Sequence, residues 1–529
     1  MSMPRIEQKA RRQGRQGDTI RNMKLRILLA TVALLSTLCS ACSSDKRCVA
    51  DAIADIAVSY AIAGKNDQAL QVAKTMDNSA LKAEALSEIA VKYVEAAQQD
   101  KAAELFTEAL QIANKIDFPS DKAVVLEEIG VNYGKARQKA KAAEVLSQAL
   151  QVAQTIEGNS GKDTLAERIA VRYAEIGDYD QGIQVADTIW DDIPKGRALS
   201  QITLKYVKLG AYDQARQVAD SIEAKVSKAN ALTEIAAKTG EYKQALWAAQ
   251  NIEDESAELK TIILGKISLL YAKAGQQKQA VEVLSQALQA AKRIEETERQ
   301  VDRLAKVARW YAQVGKKEQA SEVFSQAVQV TRQIKDTASQ AQAMAKVAAE
   351  YAKAGQRETE EATSVFAQAL QMAQTIQKDD SKVLTLAQLA IASAQIKSSN
   401  QVLEFTQTIG DANIQAYALT QIAQDYALAG QKEQAAKVLT QAFKIVQLSK
   451  NTHKKAQSLA AIAVESAKIA QYDQAIAVAQ TIDSTERNSP KASALAKIAY
   501  YCAIAGQKDK AIEVSSQALQ VAKATKCSD

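Results

Sequence analysis

The chain has 529 residues, of which 47% are hydrophobic but only 5% aromatic, and it carries 67 basic and 61 acidic side chains. A single histidine and five cysteines exclude the usual zinc sites, most Ser-His or Cys-His nucleophile systems and a disulfide framework. Residues 1–41 hold eight of the basic and two of the acidic residues, which leaves 59 of each sign. The positive net charge therefore gives no support for nucleic-acid binding.

The first 41 residues have the composition of an export signal. A basic region is followed by the mostly apolar run from Ile27 to Leu38 and then by small residues. A run of this length is too short to span a membrane as a mature helix, but it suits the core of a secretory signal. A start at Met23 would give a signal of more ordinary length and would make residues 1–22 a start-site artefact.

The segment from Leu38 to Cys42 resembles a bacterial lipobox, with Ala41 before the cysteine. Cys39 departs from the pattern, because an aliphatic residue is preferred at its position. The resemblance implies lipidation at Cys42 and a short tether over residues 42–47. It also implies a place in the cell envelope of a bacterium, membrane-anchored and facing the periplasm. Secretion without a lipid and an uncleaved anchor are the alternatives.

The rest of the chain is built from a repeated unit, and the stretch from Arg303 to Ile334 is its clearest copy. Apolar residues recur every three or four positions on both sides of Gly315, which predicts an apolar stripe on each of two helices. Gly315 stands where a helix end needs a left-handed residue. The unit is therefore a helix-turn-helix hairpin that buries its apolar faces by stacking on further copies.

An aliphatic residue, a tyrosine four positions later and a glycine four positions after that mark each copy. We call the tyrosine position the marker. Complete copies have their markers at Tyr60, Tyr173, Tyr206, Tyr271, Tyr311, Tyr351 and Tyr426. Copies with Tyr93 and Tyr133 lack the glycine, and degenerate copies surround Ile235, Leu389, Ile462 and Ile498. The sequence thus predicts thirteen hairpins, numbered here as repeats 1 to 13 in chain order.

The period takes two values. Tyr133 and Tyr173 are 40 residues apart, whereas Tyr173 and Tyr206 are 33 residues apart. The difference of seven residues is about two helical turns, and it lies in the second helix. Both lengths keep the apolar stripe in phase, so both fit one stack.

This ladder resembles the tetratricopeptide repeat. Tyr311 takes the position of the conserved tyrosine, Gly315 that of the turn and Phe324 one of the second-helix core positions. The resemblance implies an all-α fold, a right-handed α-solenoid of about thirteen hairpins over residues 48–526, that acts as a protein-binding scaffold. The proline that usually ends the second helix is missing and the long copies exceed the family's period, so the superhelix pitch stays open.

Arrays of this family usually bind partners on the concave face lined by first helices. Some hold a C-terminal carboxylate through Asn and Lys at fixed positions, but here apolar residues replace the Asn. These residues, two before the marker, are the candidate partner-binding residues Val91, Val131, Val171, Leu204 and Leu269. Later copies turn polar or small at this position, as Arg309, Ala349 and Gln424. A groove for an apolar or amphipathic segment is one interpretation, and packing between neighbouring first helices is the other.

Other candidates have simpler interpretations. His453 lies beside two lysines at the start of a repeat, as a solvated turn residue would. The stretch from Gly158 to Thr164 fails the spacing of a phosphate-binding loop and is interpreted as a turn between repeats. Irregular copies at residues 224–253 and 379–410 are interpreted as hinges, partner sites or tolerated drift.

We therefore expect a scaffold with a protein or peptide partner, a membrane attachment through the lipid anchor, and no nucleic-acid partner, cofactor, metal or catalytic residue. The first alternative is an accessory subunit or envelope enzyme whose chemistry lies in the irregular copies. The second is a structural spacer without a specific ligand.

Two expectations concern shape. Thirteen stacked hairpins give an elongated body on the order of 100 Å or more, unless the superhelix coils tightly. Ser515 in the last copy occupies the core position that Phe324 fills in repeat 8. A terminal hairpin has no neighbour to cover it, so we expect the C-terminal hairpin to fray first.

Overall fold

The computed structural model describes residues 45–355, 360–377, 379–394, 399–483 and 489–524. Within these ranges the chain forms 26 α-helices, labelled α1 to α26 in chain order, and one short 3-10 turn at Asp254–Ser256. The helices pair into thirteen hairpins, so that odd-numbered helices are the first and even-numbered helices the second members. The predicted all-α solenoid is confirmed.

The first helices are similar in length. They are α1 Asp45–Ile62, α3 Ser79–Glu95, α5 Pro119–Lys135, α7 Asn159–Glu175, α9 Asp192–Leu209, α11 Lys225–Thr239, α13 Ala257–Lys273, α15 Thr297–Gln313, α17 Thr337–Lys353, α19 Asp379–Ser393, α21 Ala412–Leu428, α23 Thr452–Lys468 and α25 Pro490–Ile504. The first of them begins three residues before the predicted solenoid boundary at Cys48.

The second helices come in the two predicted lengths. The long ones are α4 Gln99–Asn114, α6 Lys139–Gln154, α14 Gln277–Lys292, α16 Lys317–Thr331, α18 Glu360–Gln374, α22 Lys432–Val446 and α26 Lys508–Ala524. The short ones are α2 Asn66–Lys74, α8 Tyr179–Asp187, α10 Tyr212–Ser221, α12 Tyr242–Gln250, α20 Ser399–Thr406 and α24 Tyr472–Gln480.

The turn inside each hairpin follows from the marker pattern. Gly315 adopts a φ of 80°, and its N–H donates to Ala312 O at 3.0 Å. The next N–H, of Lys316, donates to Tyr311 O at 2.9 Å. This left-handed closure satisfies carbonyl groups that the helix end leaves free. Ala97 and Arg137, which replace the glycine in repeats 2 and 3, also have positive φ values, so the geometry is kept without glycine.

Aromatic side chains join consecutive repeats in two ways. In the long repeats 2 and 8, a phenylalanine of the second helix stacks on the next marker tyrosine. Phe106 stacks on Tyr133 with ring centroids 4.0 Å apart. In the short repeats 4 and 6, the tyrosine that opens the second helix contacts the next marker tyrosine instead, and the centroids of Tyr179 and Tyr206 are 4.4 Å apart. At these four junctions both period lengths therefore present an aromatic contact to the next marker.

The array closes on itself. Helix α1 packs against α25 and α26, so repeat 1 covers repeat 13 as each other repeat covers the one before it. Burial raises the pKa of Tyr60, and hydrogen bonding to the Ser516 side chain of α26 partly offsets the rise. Tyr173 makes the equivalent contact at an ordinary junction, where burial raises its pKa and hydrogen bonding to the Ser147 side chain of α6 partly offsets the rise. The thirteen hairpins thus form a ring.

Ring closure corrects two expectations about shape. The superhelix coils fully, so the elongated body does not form. The C-terminal hairpin has a neighbour, because α1 covers it, and Ser515 is completely buried. The explanation of this serine as an adaptation to an exposed end is therefore wrong. Its hydroxyl oxygen has no hydrogen-bond partner among the described residues, which makes it a buried polar group at the closing junction.

The two irregular copies differ in what the structure describes. In repeat 6, α11 has 15 residues where most first helices have 17, and it ends at the left-handed Gly240. A surface pocket of about 540 Å³ lies beside it, next to the exposed Trp247. In repeat 10, the predicted turn around Lys397 lies outside the described residues, and α20 is the short helix Ser399–Thr406.

Candidate binding surface inside the ring

The first helices form the inner layer of the ring. Neighbouring first helices contact each other all the way around, including α25 with α1, whereas neighbouring second helices of the described chain make no comparable contact. The second helices are farther apart than the first helices, so their layer has the larger circumference and forms the outside of the ring. Thirteen axes roughly 8–10 Å apart, with helices about 10 Å thick, enclose an opening roughly 25 Å wide.

The five candidate partner-binding residues lie on one stripe of these inner helices. They occupy the position two before the marker, on α3, α5, α7, α9 and α13. Val91 is buried, with 5% of its surface exposed, whereas Val131, Val171, Leu204 and Leu269 are partly exposed. Packing between neighbours therefore does not seal this row. The remaining candidate, the lipidation residue Cys42, lies outside the described residues.

The apolar row continues across the closing junction. Repeats 12, 13 and 1 carry Val464, Tyr500 and Val58 at the same position. Ring closure makes them neighbours of Val91, so the apolar side chains of repeats 12, 13 and 1 to 5 form one continuous arc. We call this arc the apolar belt. The residue two before the marker is apolar in the belt and changes to a polar residue at Arg309. This change separates two sides of a ring and is not a gradient from one chain end to the other.

Carboxylate side chains cluster on the first helices of repeats 1 to 3, about one or two helical turns before the belt residues along the chain. We call the following five residues the acidic wall: Asp51, Asp55, Glu84, Glu88 and Glu128. Burial raises the pKa of Glu84 to about 7, and the nearby Glu128 and Asp51 add to the rise. Burial also raises the pKa of Asp55 to about 6, although Lys497 of α25 opposes this. Partial burial and mutual repulsion of the negative charges thus both favour the protonated form of these carboxyl groups.

Arginines border the acidic wall on the side of repeat 4. Arg168 and Arg172 of α7 contact the fully buried Glu127 of α5, each at 2.8 Å. Arg172 also reaches Glu128 at 3.2 Å. Glu127 is therefore a buried, ion-paired group that ties α5 to α7.

Three lysines take the place of the acids on the far side of the ring. Five residues before the marker, where repeats 1 to 3 have acids, repeats 7 to 9 have Lys266, Lys306 and Lys346. We call these three residues the basic wall. Repeats 2 and 8 are six positions apart in a ring of thirteen, so the two walls are nearly opposite. Sequence reasoning missed both walls, although aligning the repeats at this position would have revealed them.

The structure shows the surroundings of three other residues that a functional site could have used. Asp163, in the stretch once compared with a phosphate loop, is buried and accepts hydrogen bonds from the N–H groups of Trp190 and Asp191. His453 is exposed and lies 2.9 Å from the Gln457 amide nitrogen. Cys502 is buried, and burial raises the pKa of its thiol to about 11.

Neither a metal-binding cluster nor a membrane-spanning helix is found among the described residues. No group of three or more His, Cys, Asp or Glu side chains is arranged to hold a metal ion. Among the described helices, none combines the length and apolar character needed to cross a membrane.

Comparisons with known proteins do not assign the chain to a family. No protein-family model and no curated protein matches the chain. Ton1535 from Thermococcus onnurineus NA1 is similar at 19% identity over 67% of this chain and 94% of that chain, with a TM-score of 0.25. A Rap protein complexed with competence and sporulation factor has 14% identity over 69% of this chain and 97% of that chain, with a TM-score of 0.27.

Human IFIT1, in a dimer with m7Gppp-AAAA, is similar at 13% identity over 76% of this chain and 94% of that chain, with a TM-score of 0.27. Likenesses this low carry no conclusion about what the present chain binds.

Proposed function

We propose that the protein is a binding scaffold that holds a segment of a partner protein inside its ring. The observation that carries this proposal is the apolar belt. Val131, Val171 and Leu204 remain partly exposed on the inner layer although alanines seal the contacts between helices. Partly exposed apolar side chains in a concave surface favour burial against an incoming apolar segment. A spacer without a ligand has no need of this row.

We further propose that the scaffold works in the cell envelope of a bacterium. Support comes from the basic and apolar composition of residues 1–41 and from the lipobox-like sequence before Cys42. In this proposal the signal is removed and a lipid on Cys42 anchors the ring to the membrane. Replacing Cys42 by Ser should shift the protein from the membrane fraction to the soluble fraction. Unchanged fractionation and mass would rule out the lipid.

We also propose that the protein is not an enzyme and does not bind nucleic acid. The charge balance of residues 42–529 supports the second point, since no excess of positive charge is left to attract phosphates. The described inner wall supports the first point, because its polar groups are carboxylates, lysines and arginines without a histidine or cysteine among them.

A cross-linking experiment tests the scaffold proposal. A photoreactive amino acid replaces Val131 in the belt or, as a matched control, the exposed Glu104 on the outer helix α4. After irradiation of cells, membranes are solubilised and the products are analysed by mass spectrometry. We expect partner cross-links from position 131 and not from position 104. No partner at position 131 would contradict the proposal and favour a spacer.

The double variant Val131→Lys and Val171→Lys separates binding from packing. Partly exposed lysines cost little, so we expect an unchanged melting curve and lost partner capture. A large fall in melting temperature would mean that these valines belong to the core, and the belt would then have no binding role.

A further inference from the structure

Ion pairs between neighbouring inner helices neutralise several carboxylates of the described chain, but three carboxylates of repeats 1 and 2 have no such pair. Glu167 pairs with Arg197, and Glu258 with Arg303, on neighbouring first helices. In contrast, the carboxylates of Asp55, Glu84 and Glu88 form no hydrogen bond or ion pair with any other described residue. Unpaired charges in a concave, partly buried wall lower the stability of the ring. A feature that costs stability at a candidate binding surface points to a ligand of opposite charge.

The unpaired carboxylates lie on the same helices as the apolar belt, and Asp55 and Glu88 are each three residues before a belt residue. On α3, Glu84 and Glu88 are followed by Val91 three residues after Glu88, so all three share one stripe of the helix. Helix α1 repeats the arrangement with Asp55 and Val58. Neighbouring helices therefore present rows of carboxylates and a parallel row of valines to the same ligand. The surface is complementary to a segment with a basic side and an apolar side.

We propose that the acidic wall and the apolar belt together bind a cationic amphipathic segment of a partner protein, laid across the first helices of repeats 1 to 4. This proposal rests on the scaffold function proposed above and adds the chemistry of the partner. The lysines or arginines of the segment meet Asp55, Glu84 and Glu88. Its apolar side chains cover the partly exposed Val58, Val131 and Val171.

The basic wall makes the electrostatic potential inside the ring asymmetric. Lys266 and Lys346 are exposed on the far side of the ring, where they repel a cationic segment. A ligand that enters the opening is therefore driven towards repeats 1 to 3, and an anionic segment is driven the other way. Opposed walls of this kind act on the rate and orientation of association more than on affinity.

A peptide-binding experiment tests the proposal. The probe is a fluorescent synthetic helix of leucine and lysine with all lysines on one side, and its counterpart has glutamate in place of each lysine. Fluorescence anisotropy measures binding to the purified full-length protein at low salt. We expect the lysine peptide to bind and the glutamate peptide to bind at least about tenfold more weakly, because several charges change sign.

Matched variants locate the binding surface. We expect Glu84→Gln with Glu88→Gln to weaken the lysine peptide about tenfold, whereas Glu104→Gln with Glu108→Gln, on the outer helix α4, leaves affinity unchanged. Both pairs remove two carboxylates, so equal losses would show general charge attraction and overturn the proposal. Because removing mutually repelling charges does not destabilise the fold, circular dichroism should show an unchanged or higher melting temperature for the inner variant.

Two further outcomes would also overturn the proposal. If the basic segment of residues 1–41 filled the wall itself, carbodiimide would link Lys24 to Glu88 and the lysine peptide would not bind. If cross-linking from position 131 captured a partner that the Glu84→Gln and Glu88→Gln variant still bound normally, the cationic chemistry would be wrong while the scaffold function stood. Absence of any captured partner would instead count against the scaffold function.

Discussion

The closing junction and an ordinary junction of the ring bury the same positions by different means. Between repeats 8 and 9, Phe324 stacks on Tyr351 with ring centroids 3.7 Å apart, and the chain itself links the two repeats. Between repeats 13 and 1, Ser515 takes the place of the phenylalanine beside Tyr60, and no chain connection is present. The comparison shows that the closing junction is held by the extensive packing of α1 against α25 and α26, without the aromatic stack.

The largest expected effect is at the ordinary junction. Phe324→Ala removes a fully buried ring and leaves a cavity, so we expect a loss of about 3–5 kcal/mol in the free energy of unfolding. Urea titration followed by circular dichroism measures this loss. A loss below about 1 kcal/mol would show that the aromatic contact does not stabilise the junction.

The equivalent change at the closing junction should have the opposite sign. Ser515→Ala removes a buried hydroxyl group that has no hydrogen-bond partner, so we expect a gain of up to about 1 kcal/mol. The same titration applies. A clear loss of stability would mean that the hydroxyl makes a hydrogen bond in solution, and the two junctions would then differ less than described.

Substitutions that add side-chain volume should affect the two junctions differently. A Cβ atom on Gly265 would lie 2.2 Å from the Trp310 ring, so Gly265→Ala should cost about 1–3 kcal/mol without opening the ring. Ser59 and Ala496 occupy the corresponding positions across the closing junction, and both are fully buried. We expect Ser59→Trp to force α1 away from α25. Small-angle scattering should then show a larger radius for Ser59→Trp and an unchanged radius for Gly265→Ala.

A smaller effect should come from pH at the closing junction. Burial raises the pKa of Asp55 of α1 from 3.8 to about 6; Lys497 of α25 opposes the rise, and Asp51 and Glu88 add to it. The closed ring thus binds the Asp55 proton more tightly than the open or unfolded chain. Its contribution to stability is complete below about pH 4 and is lost as the pH rises through 6. Asp55→Asn should flatten this dependence of the melting temperature, and Asp121→Asn, an exposed control on α5, should not.

The hairpins could be predicted from the sequence because each rests on local signals. Tyr311 and Gly315 fix one turn, and the same spacing recurs at Tyr271 and Gly275. Closure could not be predicted, because it depends on a rotation of roughly 28° per repeat, which is 360° divided by thirteen. Small differences in helix packing add up around the stack, and no single residue reports them.

The candidate site was predicted in part for a related reason. Val131 and Val171 stood out because apolar residues replaced an expected polar position. Asp55 and Glu88 did not stand out, because isolated carboxylates on helices are common and their crowding appears only when α1 and α3 are placed side by side. Lys497 belongs to the same environment only through ring closure.

The central claim is that the two ends of the array meet, and resonance energy transfer tests it most directly. Lys65 and Lys508 are both exposed, in repeats 1 and 13, and each can carry a dye after replacement by Cys in a protein whose five native cysteines are replaced by Ser. A closed ring places the dyes on adjacent repeats, within roughly 10–25 Å, and predicts nearly complete transfer. An open stack would separate them by on the order of 100 Å, and negligible transfer would contradict the ring.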